Sequence, residues 1–371
     1  MIGTPEQDGE ALRKFAEAVD QLCGIEITGR GVVGGLYAAA RARQGEPLAM
    51  RAARLLKGAV RGPGDVVFIA TGLPTFAWFL TEQDGPVGAA TLARALVLAY
   101  GVKPVIVTNP GDEAICRAAV TAAGLYCLPL ERAMQLPTTA AVVPFPVDPD
   151  EAAKAAAELC AKLQPRAFVA IERPGANENG HYHSASGRRF TDYCAKVEAL
   201  LPHLRAAGAP VIGIGDGGNE LGCSVIRDTV IDLVPGAARC RCGCDGSVVP
   251  AAEVDALVIA AISNWGAYGI EACLAALEQR AEILHSPEID TRVHSLSAAA
   301  MANNDGPGLL DPGTDAVPAR VHASFIDVLT WMVGAAGLDP GRLYRHPRYP
   351  WLYDPIVPEA GGREAGGAAR G

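Results

Sequence analysis

The sequence predicts a three-layer, Rossmann-like α/β fold, a mostly parallel sheet with helices on both faces. Short apolar runs rich in Val and Ile alternate with longer helical stretches, the pattern of strands buried on both sides. Several of these runs end in glycine and polar residues, as strands do where an open sheet presents its carboxyl ends. Half the residues are hydrophobic and a fifth are charged, which suits a globular chain of 371 residues.

Residues 9–23 carry a helical apolar rhythm through Leu12, Phe15, Ala16, Val19 and Leu22. Two Ala/Arg-rich helical pieces follow over 29–60, where Arg30, Arg41 and Arg43 either meet an anion or remain solvated. The string GDVVFIATG (64–72) reads as the first core strand, running into a loop with Thr81, Glu82, Asp84 and Gly85. A helix is expected over Gly88–Tyr100, a strand over Pro104–Thr108 and a helix over Asp112–Ala123. Apolar segments near Leu125–Leu130 and Ala141–Pro146 precede the helix Pro149–Leu163 and the strand Ala167–Ile171. A helix over Thr191–Ala207 leads to the strand Val211–Gly215, the turn Asp216–Glu220 and a helix over Ser224–Val234. Val254–Ile262 is the last core strand, and Ser263, Trp265 and Gly266 open a helix reaching Arg280.

The stretch 285–320 is rich in Asp, Gly, Pro and Asn and reads as long loops before a helix Phe325–Leu338. No linker or repeat divides the chain. The expectation is one α/β domain over 1–355, with a core at 25–280, an extension at 285–355 and a disordered tail at 356–371.

A net charge of −9 argues against a nucleic-acid or anionic-membrane surface, which needs clustered Lys and Arg. No apolar run approaches the ~20 residues of a membrane span. The polar, acidic start MIGTPEQDGEALRKF is unlike a signal peptide, so a cytoplasmic address is expected. Of the ten cysteines, Cys23, Cys116, Cys127, Cys160, Cys194 and Cys273 stand singly and read as small core residues. Cys240, Cys242 and Cys244 would share one face of a strand and suit a soft metal or redox pair. With no second Cys pair or nearby His to complete a tetrahedron, they read as coincidence. His181 and His183, one residue apart in a Gly/Asn-rich loop, read as solvated.

Four polar clusters fall at expected strand ends. They are Thr71–Gly72 with Glu82, Asp84 and Gly85; Glu172–Arg173 with the loop holding Asn177, Glu178, Asn179, His181, Tyr182 and His183; Asp216–Glu220; and Ser263–Asn264–Trp265. In a parallel sheet all four converge on one edge. Arg173, emerging from an apolar strand, must be paired internally or clamp a carboxylate with its planar fork. Glu82, Asp84, Asp216 and Glu220 could bind a divalent cation through oxygen, or raise one another's pKa and act as acid and base. No GxSxG, GxxxxGK[ST] or HExxH occurs, and Asp216 within GIGDGG opposes a pyrophosphate, so a standard nicotinamide or ATP site is not expected.

Five strings together carry a resemblance: GDVVFIATG (64–72), DGPVGAATLARAL (84–96), AIERPG (170–175) with its following loop, IGIGDGGNELG (212–222) and ISNWGAYGI (262–270). In this order the chain resembles the D-glutamate cyclase family, namely the C-terminal catalytic domain of the mitochondrial enzyme and its stand-alone bacterial relatives. Asn179 stands where relatives tend to carry an aspartate, Cys223–Ser224 where Met-Gly is expected, and the insert 240–244 is peculiar to this chain.

The resemblance implies a hydro-lyase that cyclises D-glutamate to 5-oxo-D-proline, the α-amine attacking the γ-carboxylate with loss of water. Asp216 or Glu172 would then be the base, with Glu82 and Asp84 completing the acid or holding a metal. Arg173 would anchor the α-carboxylate. The N–H groups of Gly217 and Gly218, with the Asn219 or Asn264 amide, would stabilise the oxyanion. Thr71, Gly72, Asn179, Tyr182 and Ser263 complete the expected substrate contacts. A divalent cation, Mn²⁺ or Mg²⁺, would sit on Asp84, Asp216 and Glu220. The expected partner is a small acidic amino acid, with no nucleic acid and no membrane, and homo-oligomer formation left open. Two rival readings are a metal-dependent hydrolase or lyase on another small amino or hydroxy acid, and a non-catalytic protein that binds an acidic metabolite.

Overall fold

The β-branched runs become seven parallel strands: β1 (Val66–Thr71), β2 (Lys103–Thr108), β3 (Tyr126–Cys127), β4 (Thr139–Pro144), β5 (Ala167–Ile171), β6 (Val211–Gly215) and β7 (Ala256–Ile259). The computed structural model describes residues 5–75, 78–305 and 308–336, so the expectations for the end of the last helix and for the tail lie outside the described residues.

The spatial order is β3-β4-β2-β1-β5-β6-β7. With the edge strand β3 set aside, the chain winds outward from β1 to β4, then returns to the other side of β1 and winds outward to β7. This is the doubly wound order whose ligand crevice lies at the reversal, here between β1 and β5. Thr71 pairs in register with Ile171, so the residues after both strands enter that crevice together.

Alternate side chains of each central strand serve opposite faces. Val67 and Ile69 of β1 and Val169 and Ile171 of β5 join the larger core, whereas Phe68, Ala70, Phe168 and Ala170 join the smaller one. The larger core packs under the helices Pro86–Tyr100 and Ser263–Glu278, both buried along most of their length. The helix Pro149–Leu163 covers the other face. This three-layer arrangement is the expected architecture.

Three differences from expectation have local causes. The helix expected over Thr191–Ala207 breaks into the 3₁₀ turns Thr191–Tyr193 and Val197–Leu200 and the short helix Leu201–Ala206. Ala195 between them is pinned: its carbonyl accepts from Arg173 and its N–H donates to Asn109. The stretch 285–320 is not all loop but holds the helix Pro287–Ala299, capped by the Ser286 side chain on Ile289 N–H, with Pro287 in the first turn. The last helix starts earlier than expected, at Ala319, and runs to Ala336. Among the described residues, no helix is long and apolar enough to cross a membrane.

Candidate active site

Two helix N-termini meet at the carboxyl edge of the sheet, and each is capped by the other's polypeptide. Asp84, just before the helix Pro86–Tyr100, accepts from Ser263 N–H (2.9 Å) and Asn264 N–H (2.8 Å), which open the helix Ser263–Glu278. Asn264 replies in kind, its side-chain oxygen accepting from Gly85 N–H (3.0 Å) and Gly88 N–H (2.7 Å). The carboxylate and amide thus satisfy backbone donors that neither helix could satisfy alone. Gly85 makes the approach feasible, since at its φ of +92° a Cβ would lie 2.4 Å from Thr71 Oγ1.

Around this junction gather the carboxyl groups of Glu82, Asp84, Glu172, Asp216, Glu220 and Asp315. Asp84, Asp216 and Asp315 place oxygens within 4.8 Å of one another, as do Glu172, Asp216 and Glu220, so Asp216 belongs to both groups. The fork of Arg30 grips Asp216 through Nη1 (2.9 Å) and Nη2 (2.8 Å), and Nη2 also reaches Asp315 at 3.2 Å. The Arg30 side chain is 35% exposed against 4% for Asp216, so solvent meets the cluster on the Arg30 side.

Burial and like charge set the protonation of these groups. Burial, then Asp305, Asp315 and Asp84, pushes Glu82 well above the ordinary carboxylate range. Burial and Asp216 do the same to Asp84, and burial with Asp216 and Glu220 to Glu172. Glu220 and Asp315 rise from burial and Asp216. Against its own burial, Arg30 is held more firmly protonated by Asp216 and Asp315. Glu172 also sits at φ 43°, a left-handed conformation uncommon for a side-chain-bearing residue. The Ser263 hydroxyl donates to Glu172 Oε2. Such a site favours bound protons, or a cation in their place.

Several expected ligand contacts are committed elsewhere. Arg173 is fully buried, its Nη1 donating to Gly72 O (2.8 Å) and Asn109 Oδ1 (2.6 Å) and its Nη2 to Ala195 O (2.6 Å). It braces the ends of β1 and β2 and does not face the acidic cluster. The N–H groups of Gly217 and Gly218 both donate to the Glu220 carboxylate, each at 2.8 Å. Asn219 donates to His183 O (3.1 Å), and the Asn264 amide nitrogen to Gln83 O and Thr314 Oγ1, both at 3.2 Å. Asn179 lies out in the loop against Cys244 O, and the buried Tyr182 hydroxyl donates to Glu198. Gly72 accepts from Asn109 and Arg173, whereas the Thr71 hydroxyl is buried at the rim without a partner among the described residues. The cation set expected as Asp84, Asp216 and Glu220 is regrouped, because Asp315 stands with the first two and Glu172 with Glu220.

Asp315 lies in the stretch read as featureless loop; its string DPGTDA gave only turn chemistry to read. Thr314 beside it links Asn264 to His294 Nε2 (3.1 Å), the first member of a buried polar chain on the helix Pro287–Ala299. The reading of His183 as solvated, with no His near the three cysteines, is overturned. His183 is buried and its Nε2 lies 3.2 Å from Cys242 Sγ.

A doubly wound sheet with a buried carboxyl cluster at its winding reversal defines an α/β protein with a candidate site at the carboxyl edge of the sheet. The sequence profile of the family described as "D-glutamate cyclase-like, C-terminal" matches residues 19–330, and the chain belongs to that family. Over 219 residues it is 29% identical to the human protein named D-glutamate cyclase, mitochondrial. That alignment covers 56% of this chain and 32% of the human protein, so the chain spans about a third of the relative's length.

Proposed function

We propose that this chain cyclises D-glutamate to 5-oxo-D-proline, with loss of water, at the Glu172–Asp216–Asp84 cluster. Family membership supports a cyclase, and the observation that carries the reading is the buried Glu172 carboxyl set among further carboxylates, which with burial push its pKa upward. A C–N bond forms from the α-nitrogen to the carbon of the side-chain (γ-)carboxyl group, and one C–O bond of that carboxyl breaks. The ammonium must shed two protons in all, and the departing carboxyl oxygen must gain two to leave as water. Asp216 is the base. Glu172, oriented by Ser263, is the acid that protonates the leaving oxygen.

The substrate carboxylate is anchored by Arg30 in place of Arg173, exchanging with Asp315 on the exposed side of the fork. The unpartnered Thr71 hydroxyl offers a further donor. An all-carboxylate donor set suits Mg²⁺ or Mn²⁺, held by Asp84, Asp216 and Asp315 or by Glu172, Asp216 and Glu220. When bound, such an ion offsets the negative charge that a glutamate dianion would otherwise meet.

Proton NMR of the purified protein with D-glutamate, L-glutamate and 5-oxo-D-proline, with and without Mn²⁺ or Mg²⁺, tests the reading. Lactam signals should grow with D-glutamate, and Glu172→Gln should slow them by ~10²–10⁴-fold while remaining folded. Undiminished turnover in a folded Glu172→Gln protein rejects the assignment. The commitment of Gly217, Gly218, Asn219 and Asn264 to internal bonds favours a second reading, a protein that binds an acidic metabolite. Saturable binding of D-glutamate that is recovered unchanged selects it.

A further inference from the structure

We propose that His183, Cys240, Cys242 and Cys244 form a mononuclear Cys₃His zinc site, separate from the acidic cluster. The four ligand atoms lie within 4.8 Å of one another. Cys240 Sγ is 3.2 Å from both Cys242 Sγ and Cys244 Sγ, while His183 Nε2 is 3.2 Å from Cys242 Sγ and 3.8 Å from Cys244 Sγ. All three cysteines are unpaired thiols. A tetrahedron with Zn–S bonds of about 2.3 Å has S···S edges of roughly 3.8 Å, so a central ion needs shifts of only a few tenths of an ångström. Three soft sulfurs and one imidazole select zinc over the oxygen-seeking Mg²⁺ or Ca²⁺.

The surroundings are shaped for this. The loop closes on itself through Cys240 N–H to Gly246 O (2.8 Å), with Gly243 and Asp245 both at positive φ. The Asn177 amide points at Cys244 Sγ (3.6 Å), the kind of N–H contact that steadies a thiolate ligand. Asn179 holds Cys244 O at 2.8 Å, and Arg241 N–H donates to Gly187 O at 2.9 Å. The imidazole is buried, and its Nε2 is turned to the sulfurs of Cys242 and Cys244.

The site clasps the 174–190 loop, which leaves β5 directly after Glu172, to the 240–247 loop. His183 O also accepts from Asn219, which lies between Asp216 and Glu220 in the acidic turn. Zinc here fixes one wall of the acidic site without touching it. A role in holding the fold, not in the reaction, follows from four protein ligands and no open position.

The full chain, purified under reductant, is analysed by plasma mass spectrometry, and its metal-free form is titrated with Co²⁺. One zinc per chain is expected, with visible ligand-field bands and a thiolate-to-cobalt charge-transfer band. Both the zinc and the thiolate band should vanish in a Cys242→Ser/Cys244→Ser double variant and persist in Cys127→Ser. The charge-transfer band separates sulfur ligation from cobalt on the carboxylates, so failure here leaves the cyclase reading standing. A folded, fully reduced wild-type chain that takes up neither zinc nor thiolate-bound cobalt overturns the proposal. So does a native disulfide among the three cysteines.

Discussion

Two arginines show how the same side chain takes opposite parts. Arg173 leaves β5 into a shell of buried acceptors, each of which would lose its charged donor if the guanidinium were removed, keeping only a neutral one. A hydrogen bond from a charged group contributes roughly 1.5–3 kcal/mol, and removal of the guanidinium loses three of them. Arg173→Ala should therefore cost about 3 kcal/mol or more, read by urea unfolding, with soluble yield falling accordingly. Arg30→Ala removes a partly exposed side chain, one of whose partners, Asp315, burial already pushes toward the protonated form. Its unfolding midpoint should stay close to wild type while D-glutamate binding weakens by tenfold or more. Equal stability losses in the two variants would contradict this division. The sequence could not have separated them, because both are arginines near glycine-rich turns, and only the packed fold decides which fork faces carbonyls.

At the scale of elements, the reciprocal caps join two helices that lie far apart in sequence. Asn264→Ala removes the acceptor for Gly85 and Gly88 N–H groups at the helix Pro86–Tyr100. Loss of a cap costs about 1–2 kcal/mol, and this one also frees the loop carrying Glu82 and Asp84. The expected outcome is a lower urea midpoint together with faster amide hydrogen exchange at Gly85 and Gly88; unchanged exchange there would refute the capping role. The strands and long helices were legible because both-face burial writes itself as unbroken apolar runs between amphipathic stretches. The converging acids were legible for a related reason, since parallel strands bring all their ends to one rim. The helix Pro287–Ala299 opens with Ser286-Pro287-Glu288, a capping signal that the reading of 285–320 as long loops passed over. Of the Cys–His group only the three sulfurs were legible, because His183 and Cys242 are 59 residues apart and only tertiary packing joins them.

Across the whole molecule, a buried polar chain runs away from the acidic site. Asn264 meets Thr314, Thr314 meets His294, His294 lies 3.3 Å from Asp290, and Asp290 accepts from Tyr268 at 2.7 Å. Beyond it, His285 Nδ1 lies 2.7 Å from Glu271 Oε2, all of these groups being buried. Burial alone would lower the His285 pKa, but Glu271 and Asp290 outweigh it and raise the group to about 9. Unfolded, the same imidazole titrates near 6.5. A raised folded value means that the stabilisation is complete below about pH 6.5 and disappears as pH climbs through about 9. The gap corresponds to about 3 kcal/mol. The carboxyl groups of Glu172 and Asp84, also pushed upward, add a loss of the same sign as they ionise in the fold. The wild-type curve therefore mixes the two sources, and a variant is needed to part them. His285→Gln retains a hydrogen-bonding side chain beside Glu271 but cannot carry the charge. Thermal unfolding from pH 6 to 9.5 should show the variant less stable than wild type at pH 6, with the two curves converging toward pH 9. A constant offset across that range would mean that His285 acts by packing alone, and that the pH dependence of the fold resides in the acidic cluster.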